Sequence, residues 1–453
     1  MFRDLPRYGS YKVAGEWVVE VPRSWGWEPA RTIFSERKDA GHVEEQMLSV
    51  TIGRGVIPQT DLLSSTSKKD SSNVDKSKYK LVGPGDVVYN KMRAWQGAAG
   101  GSNYRGIVSP AYVVMSPREA LTEYMHYVVR TPQFAKEAER WSYGITSDQW
   151  SLRPEHFKMI RFPLPPIEEQ AAIVKYLAHA NARIDKAISA KRGLTTLLDE
   201  QKIVIARGEI DRVVGPRMPL KRALHSMTAG VWGAAPEESD DEAHWCVRVA
   251  DFDYSSGRVK AGPKTMRSIA DSDFARKRLQ YGDLLLEGSG GGDKISVGRV
   301  VVFDHDDPAV CSNFLQRLRP APGVDSEYLA IVLRDMHFTG TVRLHIKQTT
   351  GIQNLDLGTF LTAEVPVPVE AIQRDVVIRT KDAFLENDLV LERVKREIAL
   401  LQEFRTRLIA DVVTGQVDVR AIASTLPEAP ESIDHLIPAV DDDLEEALSE
   451  GEG

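Results

Sequence analysis

The 453 residues predict an α/β (α+β) protein with an internal tandem repeat: two similar globular units joined by two long antiparallel coiled-coil helices. Three observations predict it. The chain repeats itself at a spacing near 200 residues, a Pro-x-Pro element closes each copy, and a heptad pattern of about 40 residues follows each closure. The expected boundaries are 1–162 and 213–366 for the units, 163–212 and 367–420 for the helices, and 421–453 for an acidic tail. A chain of this length exceeds what one compact core serves, so several domains are expected on size alone.

The repeat is carried by separate matches. Phe162-Pro163-Leu164-Pro165 returns as Val365-Pro366-Val367-Pro368, and Glu169-Gln170 as Ile372-Gln373, both 203 residues on. Gly85-Asp86-Val87-Val88 returns as Gly282-Asp283-Leu284-Leu285 after 197 residues, and Tyr143-Gly144-Ile145 as Thr350-Gly351-Ile352 after 207. A drifting offset is what a duplicated unit with later insertions leaves behind. Proline fixes φ and pushes the preceding residue toward extended geometry, so each Pro-x-Pro segment ends a unit and aims the next helix. Glu168 and Glu169 then stand at the positive end of the first helix, and Glu370 at that of the second.

Each helix is expected to carry a seam with alternating steps of four and three. The first runs Ile173, Leu177, Ala180, Ile184, Ala187, Lys191, Leu194, Leu198, Gln201, Ile205. The second runs Val377, Thr380, Phe384, Asn387, Leu391, Val394, Ile398, Leu401, Arg405, Leu408, with Asn387 placed to fix register. A helix of 40 residues is about 60 Å long and outruns a small domain, which favours helix–helix pairing over packing on its own unit. Two non-identical heads held at a fixed separation would form a bivalent binder, whose second contact is effectively intramolecular.

Within the units, strands are expected at Ala111–Met115, Asp283–Leu286 and Val297–Phe303, and helices at Glu119–Arg130 and Ser326–Met336. In the first unit Asn90, Lys91, Arg93, Trp95 and Gln96 mix cations, amides and an aromatic ring just after a strand, a set suited to phosphates and base edges. Taken alone, a solvated loop around a buried tryptophan is the simpler reading. Tyr143, Ser147 and Gln149 form a polar-aromatic loop before the exit segment, which would equally serve to pack the unit on its helix. In the second unit the counterparts are Lys294 and Ser296 in a glycine-rich stretch, and Lys347, Gln348, Gln353 and Asn354. The Gly288–Ser296 run fails the phosphate-loop pattern. Asp293 precedes Lys294, and Ile295 stands where Ser or Thr is required.

Composition narrows the function further. The net charge of −7 hides an uneven distribution: ten acids and no Lys or Arg follow Arg420, so residues 1–420 carry +3. A mildly basic body permits DNA binding, and the tail is expected to be solvated and disordered. Cys246 and Cys311 are too few and too far apart for a metal pair and are expected to be buried structural thiols of a reducing cytosol. No run of about 18 apolar residues occurs, and Met1–Pro6 lacks a signal pattern, so a cytoplasmic protein with no membrane contact is expected. Metalloprotease, nucleophile-elbow, amino-methyltransferase and nuclease motifs are all missing, so no catalytic residue and no metal site is expected.

Three stretches carry a family resemblance: Gly85–Gly97 with Gly106–Tyr112, Pro163–Gln170 through Leu198, and Leu408–Arg420. The body, residues 1–420, resembles the specificity (S) subunit family of type I restriction-modification enzymes. The second unit departs more, in its glycine-rich run and its Glu370-Ala371-Ile372-Gln373 helix start. The resemblance implies that each unit is a target-recognition domain reading one half of a split sequence in double-stranded DNA. It implies helices that set the spacing and dock two methyltransferase (modification) subunits and restriction/translocase subunits. S-adenosylmethionine, ATP and Mg2+ would then belong to those partners, and the chain itself would hold no cofactor and catalyse nothing. A subunit serving a stand-alone methyltransferase or another defence complex, and a coiled-coil interaction protein without DNA, stay open as alternatives.

Overall fold

The computed structural model describes residues 5–64, 75–144, 150–236, 243–290, 296–349 and 352–428. The chain divides into two compact units, residues 1–192 with 395–453, and residues 193–394. Each is a mixed α/β head to which both long helices, Ile167–Asp211 and Glu370–Val413, contribute a part.

The first head is built on a four-stranded antiparallel sheet in the order Phe34–Arg37, Tyr112–Pro117, Val87–Asn90, Ala99–Gly101. Val87, Val88 and Tyr89 are all buried, because one sheet face meets the aromatic core and the other a small valine cluster. That core gathers Trp25, Tyr124, Phe134, Phe157 and Phe162 with Ile173, Tyr176 and Leu177 of the first long helix. Leu408, Val412 and Val413 of the second long helix close it. The exit strand Arg161–Leu164 pairs with Gly26–Pro29 before the chain turns into the helix, as the Pro-x-Pro element requires.

The second head repeats this plan around a six-stranded sheet ordered Leu224–Ala229, Leu315–Pro320, Leu284–Glu287, Val300–Val302, Arg258–Val259, Phe252–Asp253. Leu284 and Leu286 face a core with Tyr328, Leu333 and Phe360, whereas Leu285 faces Trp245 and Phe303. The strand expected over Val297–Phe303 is only Val300–Val302. Gly298 adopts φ 96°, and a Cβ there would stand 2.3 Å from Val342, so the chain bends before the strand starts.

The repeated motifs have repeated jobs. Gly85 and Gly282 take φ 93° and 86°, and each is followed by a buried aspartate. Asp86 accepts from Gly83 N (2.7 Å) and Arg37 Nε (2.9 Å); Asp283 accepts from Gln280 N (2.7 Å) and Arg319 Nε (2.8 Å). The Tyr124 hydroxyl donates to the Pro163 carbonyl and that of Tyr328 to the Pro366 carbonyl, each at 3.1 Å. Gln170 accepts from Leu121 N and donates to Pro165 O, while Gln373 accepts from Asp325 N and donates to Pro368 O. These bonds lock each helix start to its own head. A further repeated pair escapes simple motif reading. Arg130 donates to the carbonyls of Ile52 and Gly53, and Arg334 to that of Tyr254. Burial pushes both guanidinium pKa values down.

The long helices run antiparallel inside each unit. Asp185 pairs with Arg405 and Lys191 with Glu397 in the first, Lys202 with Asp388 and Glu209 with Arg379 in the second. Asp185–Arg405 and Asp388–Lys202 are the same pair displaced by 203 residues. Every residue of the second expected seam is buried or half-buried. The first seam needs correction after Ile184. Leu194 and Gln201 are exposed, whereas Ile188, Lys202 and Glu209 are buried. A straight helix drifts about 20° per heptad against a strict seven-residue repeat, and one extra four-residue step restores the contact.

The helix start also holds a polar anchor. Tyr8 Oη (2.6 Å) and Trp25 Nε1 (3.0 Å) both donate to Glu169 Oε1 inside the first head. Glu169→Ala leaves two buried donors unpaired, and the expected loss is about 2–4 kcal/mol. Thermal unfolding checks this; an unchanged melting curve would mean the anchor is dispensable.

Residues 421–428, placed in the expected tail, are packed on the first unit. Arg420–Thr425 is a short helix with Ala423 buried, the Pro427 carbonyl lies 2.9 Å from His179 Nε2, and Glu428 pairs with Lys175. The remaining acids, from Glu431 on, lie outside the described residues.

Candidate nucleic-acid interface

In the first unit the strand Val87–Asn90 delivers the expected loop. Asn90 Oδ1 caps the turn by accepting from Met92 N at 2.9 Å, and Ala94–Gln96 forms one turn of 3-10 helix closed by Gly97 at φ 94°. Ala94 is the buried peg of the loop, leaving Gln96 and Met92 exposed and Lys91, Arg93 and Trp95 half-exposed. Trp95 is held by a bond from Nε1 to Met92 O (2.9 Å), and its ring meets Trp150 edge-on at 5.5 Å. Tyr143 is 59% exposed and lies 4.9 Å from the His156 ring, on a hairpin that bridges back to Ser151. Ser147 and Gln149 lie outside the described residues.

Sequence reasoning passed over Lys80. Its ammonium donates to Tyr112 O (2.6 Å), and burial followed by the charge of Lys91 pushes its pKa down. A second cation thus backs Lys91. The strand Lys80–Val82 gave no alternation to mark it, since Leu81 and Val82 are both buried.

In the second unit the expected residues gather on a small antiparallel sheet ordered Ser289–Gly290, Ile352–Leu355, Ile346–Thr349. Asn354 lies between Ser289 and Lys347, and Gln353 between Gly290 and Gln348. Asn354 is exposed, and its Oδ1 accepts from Ser289 Oγ at 2.7 Å. Lys347 is exposed and pairs with Asp356 at 2.6 Å, which lowers the carboxyl pKa of Asp356. Gln353 and Ser296 are half-buried. Gln353 Oε1 accepts from Val297 N (3.3 Å), and Ser296 Oγ lies 3.3 Å from His337 Nε2. Those two shape the site from beneath. Lys294 and the side chain of Gln348 lie outside the described residues.

The two sites are one design used twice. Lys91 N donates to Ala111 O and Leu152 N to Lys91 O in the first unit, at 3.0 and 2.8 Å. Gly288 N donates to Phe314 O and Leu355 N to Gly288 O in the second, both at 2.9 Å. Each unit thereby fuses a loop at the end of a central sheet strand to the hairpin that precedes its exit strand. What differs is the side chains displayed: cations and aromatic rings in one, glycine, amides and a lysine in the other.

Burial pushes the Cys246 thiol up to about 11 and that of Cys311 up to about 12, so both are protonated. They pack in different clusters, Cys246 with Ile269 and Val310, Cys311 with Trp245 and Leu315. Among the described residues no group of three or more His, Cys, Asp and Glu stands ready to hold a metal ion, and no helix is long and apolar enough to cross a membrane.

Each unit mounts a loop pair by the same backbone bonds and holds its own paired stretch of the two long helices. Along most of its length the chain is similar to specificity subunits of type I restriction enzymes. It is 18% identical over 437 residues to the EcoKI specificity subunit of Escherichia coli K12, covering 88% of this chain and 90% of that one. It is 19% identical over 371 residues to the MjaVIII specificity subunit of Methanocaldococcus jannaschii, covering 76% and 83%. A chain solved for complex assembly and conformational transition of the type I R-M system shares the fold. Its TM-score is 0.52 at 14% identity, over 88% of this chain and 99% of that one. No protein-family profile matches the chain.

Proposed function

We propose that this chain is the DNA-recognition subunit of a type I restriction-modification complex, reading a bipartite target with one unit per half-site. The observation that carries this reading is the conserved mounting of the loop pair in both units combined with different side chains on each. A scaffold kept twice with its display changed twice suits two different short sequences. Lys91, Arg93, Gln96, Lys347 and Asn354 supply charge for phosphates and amides for base edges. The chain acts in the cytoplasm without catalysis of its own. Its helices dock two methyltransferase subunits and the restriction/translocase subunits, which bring S-adenosylmethionine, ATP and Mg2+.

Salt dependence of DNA binding tests the core of the reading. Neutralised phosphates release counterions, and log K falls by about 0.9 per contact for each unit of log salt. Binding to duplex with a slope steeper than about −4 is expected. A flat salt response would assign the chain to protein–protein assembly instead.

A further inference from the structure

The first unit's site is rich in rings: Trp95 and Trp150 stand edge to face, with Tyr143 on the same hairpin. The corresponding loops of the second unit, 288–298 and 346–355, contain no aromatic residue. A third segment, bonded to this loop through its backbone, carries an exposed ring. Phe314 is 51% exposed, on the turn between Ala309–Cys311 and Leu315–Pro320. Its carbonyl accepts from Gly288 N (2.9 Å) and Ser289 N (3.2 Å), so the turn is bonded directly to the start of the glycine-rich loop. On its other side Leu315 N donates to Ser312 O and Gly230 N to Leu315 O, at 2.9 and 3.0 Å. A half-exposed ring thus rides on a backbone fixed from both directions.

The duplicated position argues that this is placement for use. The residue in the first unit whose carbonyl makes the same bond to the recognition loop is Ala111, which receives Lys91 N. Where the loop carries its own ring, the neighbouring turn carries a methyl; where the loop is glycine-rich, the turn carries the ring. Gly288 lies against the Phe314 turn: a Cβ there would stand 3.5 Å from the Phe314 carbonyl and 3.3 Å from Gln316 Cγ.

We propose that Phe314 is the specificity-determining apolar contact of the second unit, set against the bases of its half-site. This rests on the DNA-reading function proposed above. The chemistry is a ring meeting apolar base surface, either the methyl group of a thymine in the major groove or the face of a base at a partly opened step. Aromatic–base contacts are worth about 1–3 kcal/mol, so the loss expected on truncation is roughly tenfold in affinity.

The test uses the full chain in its complex and a duplex bearing the host's methylation motif. Phe314→Ala is expected to weaken binding to this duplex roughly tenfold, to leave binding to random duplex unchanged, and to relax the methylated motif at one position of one half-site. Phe314→Tyr should keep most of the affinity. Tyr281→Ala, which removes a still more exposed ring elsewhere on the unit, should change nothing. Two probes separate the sources of the contact. Deoxyuridine in place of one thymine reproduces the loss if the methyl is touched, and adds nothing in the Phe314→Ala variant. 2-Aminopurine at one step brightens with the native chain and not with the variant if the ring enters the stack. Equal binding of Phe314→Ala and native protein to the motif, or an equal loss on motif and random DNA, overturns the proposal and leaves the DNA-reading function standing. A native complex that does not prefer its motif overturns that function itself.

Discussion

Alanine at Lys91, Arg93 and Gln96 together removes sequence reading at one half of the target and leaves the other half intact. The three side chains project from a loop whose fold rests on other groups: the Asn90 cap, the Ala94 peg, the Gly97 turn and the backbone bonds to Ala111 and Leu152. The loop therefore survives their loss while its display is erased. Base and phosphate contacts are worth about 1–3 kcal/mol each, so affinity for the intact target falls roughly a hundredfold or more. In the methylome of a host carrying this variant, one half of the motif should turn degenerate. The mirror change, Lys347→Ala with Asn354→Ala, should blur the other half. Simultaneous loss of both halves from either variant would contradict independent heads.

Removing one heptad from a single long helix is the more destructive change. Deleting Gly193–Asp199 alone slides one helix seven residues past its partner, so Lys202–Asp388 and Glu209–Arg379 cannot form together with Asp185–Arg405. The seam residues Leu391, Val394 and Asn387 then face the wrong positions, and specific binding is expected to vanish. Deleting Gly193–Asp199 and Val390–Arg396 together removes paired segments and keeps all four ion pairs in register. Each helix shortens by about 10 Å, the rise of about three base pairs. The matched deletion should restore binding to a target whose unread gap is shorter by about that amount. Restoration on the original gap would show that the helices do not set it.

Much of this was legible in the sequence because it rests on local chemistry. Gly85-Asp86 and Gly282-Asp283 mark a positive-φ turn with a buried aspartate, and Pro-x-Pro marks a chain exit, whatever surrounds them. Long-range geometry was less legible. The seam expected through Leu194 and Gln201 shifts because an α-helix drifts against a strict seven-residue template. Gln353 and Ser296 were chosen for polarity, yet the fold turns them inward onto Val297 N and His337. Phe314 was invisible for the opposite reason. It lies in neither recognition loop, and only the backbone bonds from Gly288 and Ser289 bring its turn to the site. The expected tail boundary failed because composition registers missing cations, not the docking of Pro427 and Glu428 onto the first helix.

Sequencing the methylated adenines of the host genome, with and without this chain, reads the bipartite target itself. The expected motif disappears with the chain and consists of two short defined sequences separated by an unread gap of constant length. A continuous motif, or a bipartite motif that persists when the chain is deleted, would contradict it.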